Sequence, residues 1–347
     1  MSGKKRGKRK KKLRILKGIL IFFVMILIVF ISAISAAILF VNNKMDMVQK
    51  VEIDESQISI SDNKNLTTYR NIAIFGVDSR SNEYNKNGRS DCIMIASINN
   101  RTHDIKLISV YRDTYLQIDE HGLDKITHAY SYGGAPLTIK TLNTNLDLNI
   151  SEFVTVNFDA VVDMVDALGG IEMNITAEEA KYINQYIDEV NMITNKNSKH
   201  ITKAGKYTLD GVQAVSYCRI RYTNGGDYKR TERMRDVLAL ILAKLKTKNV
   251  TQINSIADKV LPKVYTNLST KDLITMIPSV TSFDISKSTG WPYKVDGVTI
   301  SGVWYGVANT LESNVKQLHE EIFENENYEV PESIKTISNK IKKKAGK

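Results

Sequence analysis

The chain has 347 residues, 42% of them hydrophobic and 25% charged, with only five prolines and two cysteines. This excludes a disulfide scaffold, a collagenous repeat and a disordered polyelectrolyte, and leaves material for one large domain with a buried core. The formal charge of +10 is an N-terminal matter: ten Lys and Arg stand in the first 18 positions with no acid, and removing them from the 48 Lys and Arg leaves 38, equal to the 38 Asp and Glu.

The basic tail, residues 1–17, precedes 23 residues without a charge, 18–40. Residues 18–41 are expected to be one transmembrane helix, because about 20 apolar residues rising about 1.5 Å each cross a bilayer core. The positive-inside rule keeps the tail in the cytoplasm and sends the rest outside, so the expected localisation is the cell membrane, single-pass, with an extracytoplasmic domain. Frequent Asn, Lys and Ile point to a low-GC Gram-positive source. The apolar run exceeds the about 7–15 residues of a cleavable signal core. Nucleic-acid binding by the tail alone would be nonspecific, and no recognition motif accompanies it, so no nucleic-acid partner is expected.

Residues 42–69 are polar and are expected to form an extracytoplasmic stalk ahead of a domain at 70–330. Residues 71–77 form an apolar strand stopped at Asp78, followed by a polar loop through Gly88. Segments 92–98 and 105–111 read as the next two strands, with a turn at 99–102. A helix at 137–146, a strand at 153–158 and a helix at 159–168 closed by Gly169-Gly170 follow, then an amphipathic helix at 178–195. Residues 215–222 read as a strand whose alternation puts Tyr217, Arg219 and Arg221 on one face and Cys218 and Ile220 on the other. Asp227 is expected to cap a long helix, with Val237, Leu238, Ile241, Leu242 and Leu245 at helical spacing. A helical pair and a short strand at 293–300 complete the domain, and residues 331–347 are expected to be a frayed Lys-rich tail. Alternating strands and helices give an α/β fold layered around a central mixed β-sheet.

Charge then stands out by its placement. Arg80, Arg89, Arg112, Arg219, Arg221, Arg230 and Arg233 lie at element ends or in first turns, interleaved with Asp78, Asp91, Asp113 and Asp227. So many guanidiniums at one mouth repel unless an anion sits among them, and their planar forks suit phosphate oxygens. Mutual salt bridging between these acids and arginines is the competing reading. A Mg²⁺ held by one or two of the carboxylates and a substrate phosphate is compatible with both. Cys92 and Cys218 stand beside these residues, and whether they pair is left open. The five histidines show no ligand spacing.

Taken in order, Gly76-Val-Asp-Ser-Arg80, Gly88-Arg-Ser-Asp91, Ile108-Ser-Val-Tyr-Arg-Asp113, Lys125-Ile-Thr-His-Ala-Tyr130, Asp166-Ala-Leu-Gly-Gly170, Leu209-Asp-Gly211, Cys218-Arg-Ile-Arg221, Gly226-Asp-Tyr-Lys-Arg230 and Glu232-Arg233 resemble the LytR-CpsA-Psr family. The resemblance implies a central mixed sheet with helices on both sides and a hydrophobic tunnel for a polyprenyl chain. It implies a phosphotransferase that moves an anionic glycopolymer, such as teichoic acid or capsule, from a polyprenyl diphosphate carrier to peptidoglycan N-acetylmuramic acid through a phosphodiester. By motif position it gives Arg112, Arg219 and Arg221 as the diphosphate clamp with Arg80 and Arg230 in support, and Asp78 and Asp91 as Mg²⁺ ligands, Asp91 being alternatively the base. Residues 153–168 and 237–245 would line the tunnel. Met234 and Tyr111 depart from the family pattern, which often has Gln and Pro there. A polyprenyl diphosphate hydrolase and a non-enzymatic envelope regulator are the alternatives.

Overall fold

The computed structural model describes residues 46–77, 84, 88–269 and 282–346. The basic tail, the expected span at 18–41, Asp78 and Arg80 lie outside the described residues. Among the described residues no helix is long and apolar enough to cross a membrane.

The strands are β1 (Gln49–Lys50), β2 (Tyr69–Val77), β3 (Ser90–Asn99), β4 (Asp104–Val110), β5 (Tyr115–Ile118), β6 (Gly122–Lys125), β7 (Glu152–Val156), β8 (Ile171–Ile175), β9 (Gly205–Leu209), β10 (Val264–Thr266), β11 (Asp284–Trp291), β12 (Val295–Ile300) and β13 (Val303–Ala308). The helices are α1 (Ile126–Leu146), α2 (Phe158–Ala167), α3 (Ala177–Thr194), α4 (Gly211–Arg219), α5 (Gly226–Leu245), α6 (Val250–Val260), α7 (Leu311–Ile322) and α8 (Glu332–Ala345). The central sheet runs β1-β10-β7-β2-β3-β4-β11. It is mixed: β2 pairs antiparallel with β3 and parallel with β7, and β11 pairs parallel with β4.

Period-2 alternation along β2 explains the layering. Ala73, Phe75 and Val77 join a core with Ala129, Ile139 and Leu142 of α1 and Val315 and Leu318 of α7. Ile72, on the other face, packs in a second cluster with Ile98 and Leu107, against which Leu238 and Leu242 of α5 lie. A third cluster joins α2, α3 and α4 through Val162, Ile183, Ile187 and Val215. The expected mixed sheet flanked by helices is therefore present.

Several local expectations are corrected. Residues 215–222 are not a strand: α4 ends at Arg219, and Ile220 leads into a loop. The helix wins because Asp210 and Gln213 form a capping box and because Gly211 lets α4 approach α2 closely; a Cβ there would fall 2.1 Å from the Val162 carbonyl oxygen. The long helix is capped by Gly225 in a left-handed conformation, with Asp227 inside its first turn. The segment expected as a stalk contributes β1 to the sheet edge and buries Ile58 and Leu66 in the core. The Lys-rich tail is helix α8, with Ile334, Ser338 and Ile341 buried. The strand expected at 293–300 is one arm of the β12–β13 hairpin.

Candidate active site

β2 and β3 pair in register as far as Gly76 opposite Cys92, then slip so that Val77 faces Ser90. Asp91 is the extra residue, a β-bulge that frees its backbone from the ladder and aims its side chain. Its carbonyl oxygen accepts from Arg230 Nη2 at 3.3 Å. Its carboxylate is the hub of the cleft: Oδ1 lies 2.6 Å from Arg112 Nη1, while Oδ2 is 3.4 Å from Arg221 Nη2 and 3.8 Å from Arg230 Nη1.

Each arginine is delivered by a different element. Arg112 follows β4, and its carbonyl accepts from Thr127 N at 3.0 Å while the Thr127 hydroxyl bonds the Ser90 carbonyl at 2.9 Å. The first turn of α1 thus ties this corner to β3. Lys125 pairs with Asp113 at 2.9 Å. Arg219 closes α4, lies over the rings of Phe158 and Tyr186, and donates to Glu189 at 2.8 Å. Arg221 is the most open, with 48% of its side chain exposed. Arg230 is 2% exposed and bonds Asp227 at 3.0 Å. Burial lowers the Arg230 pKa, partly offset by Asp227.

The decisive feature is incomplete pairing. Arg112 Nε, Arg219 Nη1 and Arg230 Nε are buried N–H groups with no hydrogen-bond partner among the described residues. Orphaned buried donors are costly, and cationic ones around one cleft call for an anion. Salt bridges to Asp91 and Asp227 therefore exist, as the competing reading expected, but leave donors over.

The cleft has a volume of about 290 Å³ and is lined by Asp91, Arg219, Arg221 and Arg230 with Phe158 and Tyr186. It shares Gly76, Cys92, Phe158 and Met234 with an almost wholly apolar cavity of about 130 Å³ that runs between the sheet and α2, α4 and α5. Val161, Val215, Val237, Leu238 and Ile241 line the cavity. A charged mouth and an apolar chamber thus adjoin, with Met234 among the side chains that wall both. Gly76 is required at the junction, since a Cβ there would fall 2.8 Å from Cys92 Cβ. Cys92 and Cys218 both line the cavity as free thiols, and burial raises both, Cys92 to about 12.

Of the sequence candidates, Asp91, Arg112, Arg219, Arg221 and Arg230 come together, and Asp78 and Arg80 lie outside the described residues. Arg233 turns away: it donates to Glu179, the Ile220 carbonyl and Thr223. Tyr217, expected beside Arg219, is buried against Arg233. The Asp166 and Gly211 motifs are architectural, with Asp166 Oδ1 accepting from Gly211 N at 2.7 Å. Phe158 falls in the segment expected to line the tunnel and does line the cavity, whereas Tyr186 and Glu189 beside Arg219 were missed, since nothing in their helix marks them apart from ordinary amphipathic positions. Among the described residues no cluster of three or more His, Cys, Asp or Glu can cage a metal. Among the described residues Asp91 is the cleft carboxylate that could share a divalent cation with phosphate oxygens, the usual manner for Mg²⁺.

The LytR_cpsA_psr family profile matches residues 34–322. The polyisoprenyl-teichoic acid–peptidoglycan teichoic acid transferase TagT of Bacillus subtilis is 30% identical over 85% of this chain and 90% of its own. The corresponding TagU of Enterococcus faecalis is 32% identical over 73% of this chain and 80% of its own. A solved structure described as TagT bound to LI-WTA superposes with a TM-score of 0.58 at 25% identity, over 86% of this chain and all of that one.

Proposed function

The chain belongs to the LytR-CpsA-Psr family, and from that premise we propose that it is a phosphotransferase moving a glycopolymer from a polyprenyl diphosphate carrier onto peptidoglycan. The observation that carries this reading is that the arginine cleft and the apolar cavity adjoin and share wall residues. A diphosphate carried on an isoprenoid tail needs such a pair of chambers. The names of the relatives, polyisoprenyl-teichoic acid–peptidoglycan transferases, supply the substrate classes. The N-terminal span would anchor the protein in the cell membrane with the cleft outside, next to both substrates.

The chemistry assigns duties to the residues. An acceptor hydroxyl attacks the phosphorus on the polymer side of the diphosphate; a new O–P bond forms, the P–O–P bridge breaks, and polyprenyl phosphate leaves. Arg112, Arg219 and Arg230, through their orphaned N–H groups, and Arg221 would hold the diphosphate oxygens and stabilise the charge on the leaving phosphate. Arg80 belongs to the same motif set and would support them. Asp91 Oδ1 is fixed by Arg112, whereas Oδ2 makes only long contacts that an arriving phosphate displaces. That oxygen is then free for the acceptor proton or for Mg²⁺. Asp91 and Asp78 would hold the ion, which would add charge neutralisation on the phosphates.

Full-length protein in vesicles with a lipid-linked glycopolymer, with or without peptidoglycan, tests the reading. Polymer should become wall-bound only when peptidoglycan is present and Asp91 and Arg219 are intact. Release of free polymer at the same rate without peptidoglycan would make the protein a hydrolase. A turnover defect in Asp91→Asn that persists at saturating Mg²⁺ would assign the proton to Asp91; its rescue by excess Mg²⁺ would assign the metal.

A further inference from the structure

A second pocket, of about 220 Å³, adjoins the arginine cleft and is lined by Tyr111, Asp113, Asp227, Tyr228 and Trp304, with glycine backbone between them. It meets the cleft through two pairs: Asp227 bonds Arg230 at 3.0 Å, and Asp113 lies 4.0 Å from Arg112. It shares no lining residue with the apolar cavity.

Its floor is constructed. Gly297 and Gly306 stand opposite each other in the β12–β13 hairpin, and the Trp304 indole lies across them; a Cβ on Gly297 would fall 2.8 Å from Trp304 Nε1. One face of the ring is bedded on glycine, yet the residue is 45% exposed, whereas the chain's other tryptophan, Trp291, is fully buried. The hairpin is pinned to the reacting corner, since Gly306 N donates to the Asp113 carbonyl at 2.9 Å. Tyr111 packs edge-on against Tyr228 with ring centroids 4.5 Å apart, forming a second aromatic wall.

A flat, half-open indole beside carboxylates suits a pyranose ring, whose C–H face packs on the aromatic surface while its hydroxyls donate to carboxylate oxygens. We propose that this pocket is the subsite for a sugar ring of the acceptor glycan strand, next to the hydroxyl that attacks. The inference rests on the transferase reading above. Among the pocket's lining residues the strongly acidic groups are Asp113 and Asp227, and no Lys or Arg is present. Both carboxylates are already paired, Asp113 with Lys125 at 2.9 Å and Asp227 with Arg230 at 3.0 Å, so the pocket has no lining cation to offer a phosphate-rich donor polymer, whereas an uncharged sugar needs none. Tyr111, one of the departures from the family pattern, thereby gains a place in the acceptor wall.

Two measurements on the full-length protein test this. The first needs no donor: with Trp291 buried, titration with soluble, uncrosslinked peptidoglycan glycan fragments should change the quenchable part of the tryptophan fluorescence saturably, and Trp304→Phe should abolish the signal change. The second uses the transfer assay. Trp304→Ala should raise the acceptor KM about tenfold or more while kcat at saturating acceptor and the donor KM stay within about twofold, with Trp304→Phe recovering most of the loss. Val303→Ala, in the adjoining exposed position outside the pocket, is the control. An unchanged acceptor KM in Trp304→Ala, or a raised donor KM instead, overturns the proposal. Glycan binding without any transfer would leave the subsite standing and remove the transferase reading, so the two failures are distinguishable.

Discussion

Two buried arginines three positions apart on α5 have opposite surroundings. Arg233, 1% exposed, spends its donors on Glu179, the Ile220 carbonyl and Thr223. Arg230, equally buried, keeps an Nε with no partner among the described residues and shares Asp91 with two other arginines. At the Arg233 corner every guanidinium nitrogen has a protein partner, and its role is structural: it holds the loop that carries Arg221. The cleft around Arg230 is unsaturated and therefore built to receive something. Counting satisfied donors separates the two where burial and charge do not.

The sharpest way to break this comparison is Arg233→Ala. It strands Glu179 as an unpaired buried carboxylate and should cost about 3–5 kcal/mol of stability, read by urea denaturation. Burial alone would raise the Glu179 carboxyl, but hydrogen bonds from Thr176 and Arg233 outweigh it and hold it below its ordinary 4.5. The corner therefore contributes stability above about pH 4.5 that disappears as pH falls through the lowered value, and Arg233→Ala should be less sensitive to acid than the native chain.

On the unsaturated side, Asp91→Asn should lower turnover by about a hundredfold or more with little change in donor affinity, measured as kcat against donor Kd. Val161→Phe fills the apolar cavity beneath the cleft and should weaken binding of a long-chain polyprenyl diphosphate by about tenfold while binding of inorganic diphosphate is kept. The smallest effect concerns the cavity thiols. With Cys92 pushed up to about 12 and Cys218 also raised by burial, neither should be alkylated by iodoacetamide at pH 8 unless the protein is unfolded, as mass spectrometry would show.

The chemistry of the site was more legible in the sequence than its geometry. Arginines and aspartates at element ends stand out by their placement in the sequence, and five of them, Asp91, Arg112, Arg219, Arg221 and Arg230, converge. The bulge that turns Asp91 into the cleft was not legible, because an extra residue in a ladder is defined by its partner strand. The strand expected at 215–222 failed because Val, Tyr and Ile favour strands, while packing of α4 on α2 and α3 overrode that preference. The Asp210 to Gln213 capping-box spacing was the available signal. Ile334, Ile337 and Ile341, at helical spacing, likewise announced α8 beneath its lysines. The pairing of Trp304 with two glycines across a hairpin needed the register.

The central claim is that the orphaned guanidinium groups form a diphosphate site. Titration of the full-length protein with a polyprenyl diphosphate, comparing Arg219→Ala with Arg101→Ala, tests it most directly, Arg101 being at the exposed turn between β3 and β4. Charge-assisted bonds contribute about 1.5–3 kcal/mol each, so Arg219→Ala should bind at least about tenfold more weakly while the domain stays folded, and Arg101→Ala should match the native chain. Equal affinity in the two variants would mean that the arginines serve only one another's carboxylates, and that the site lies elsewhere.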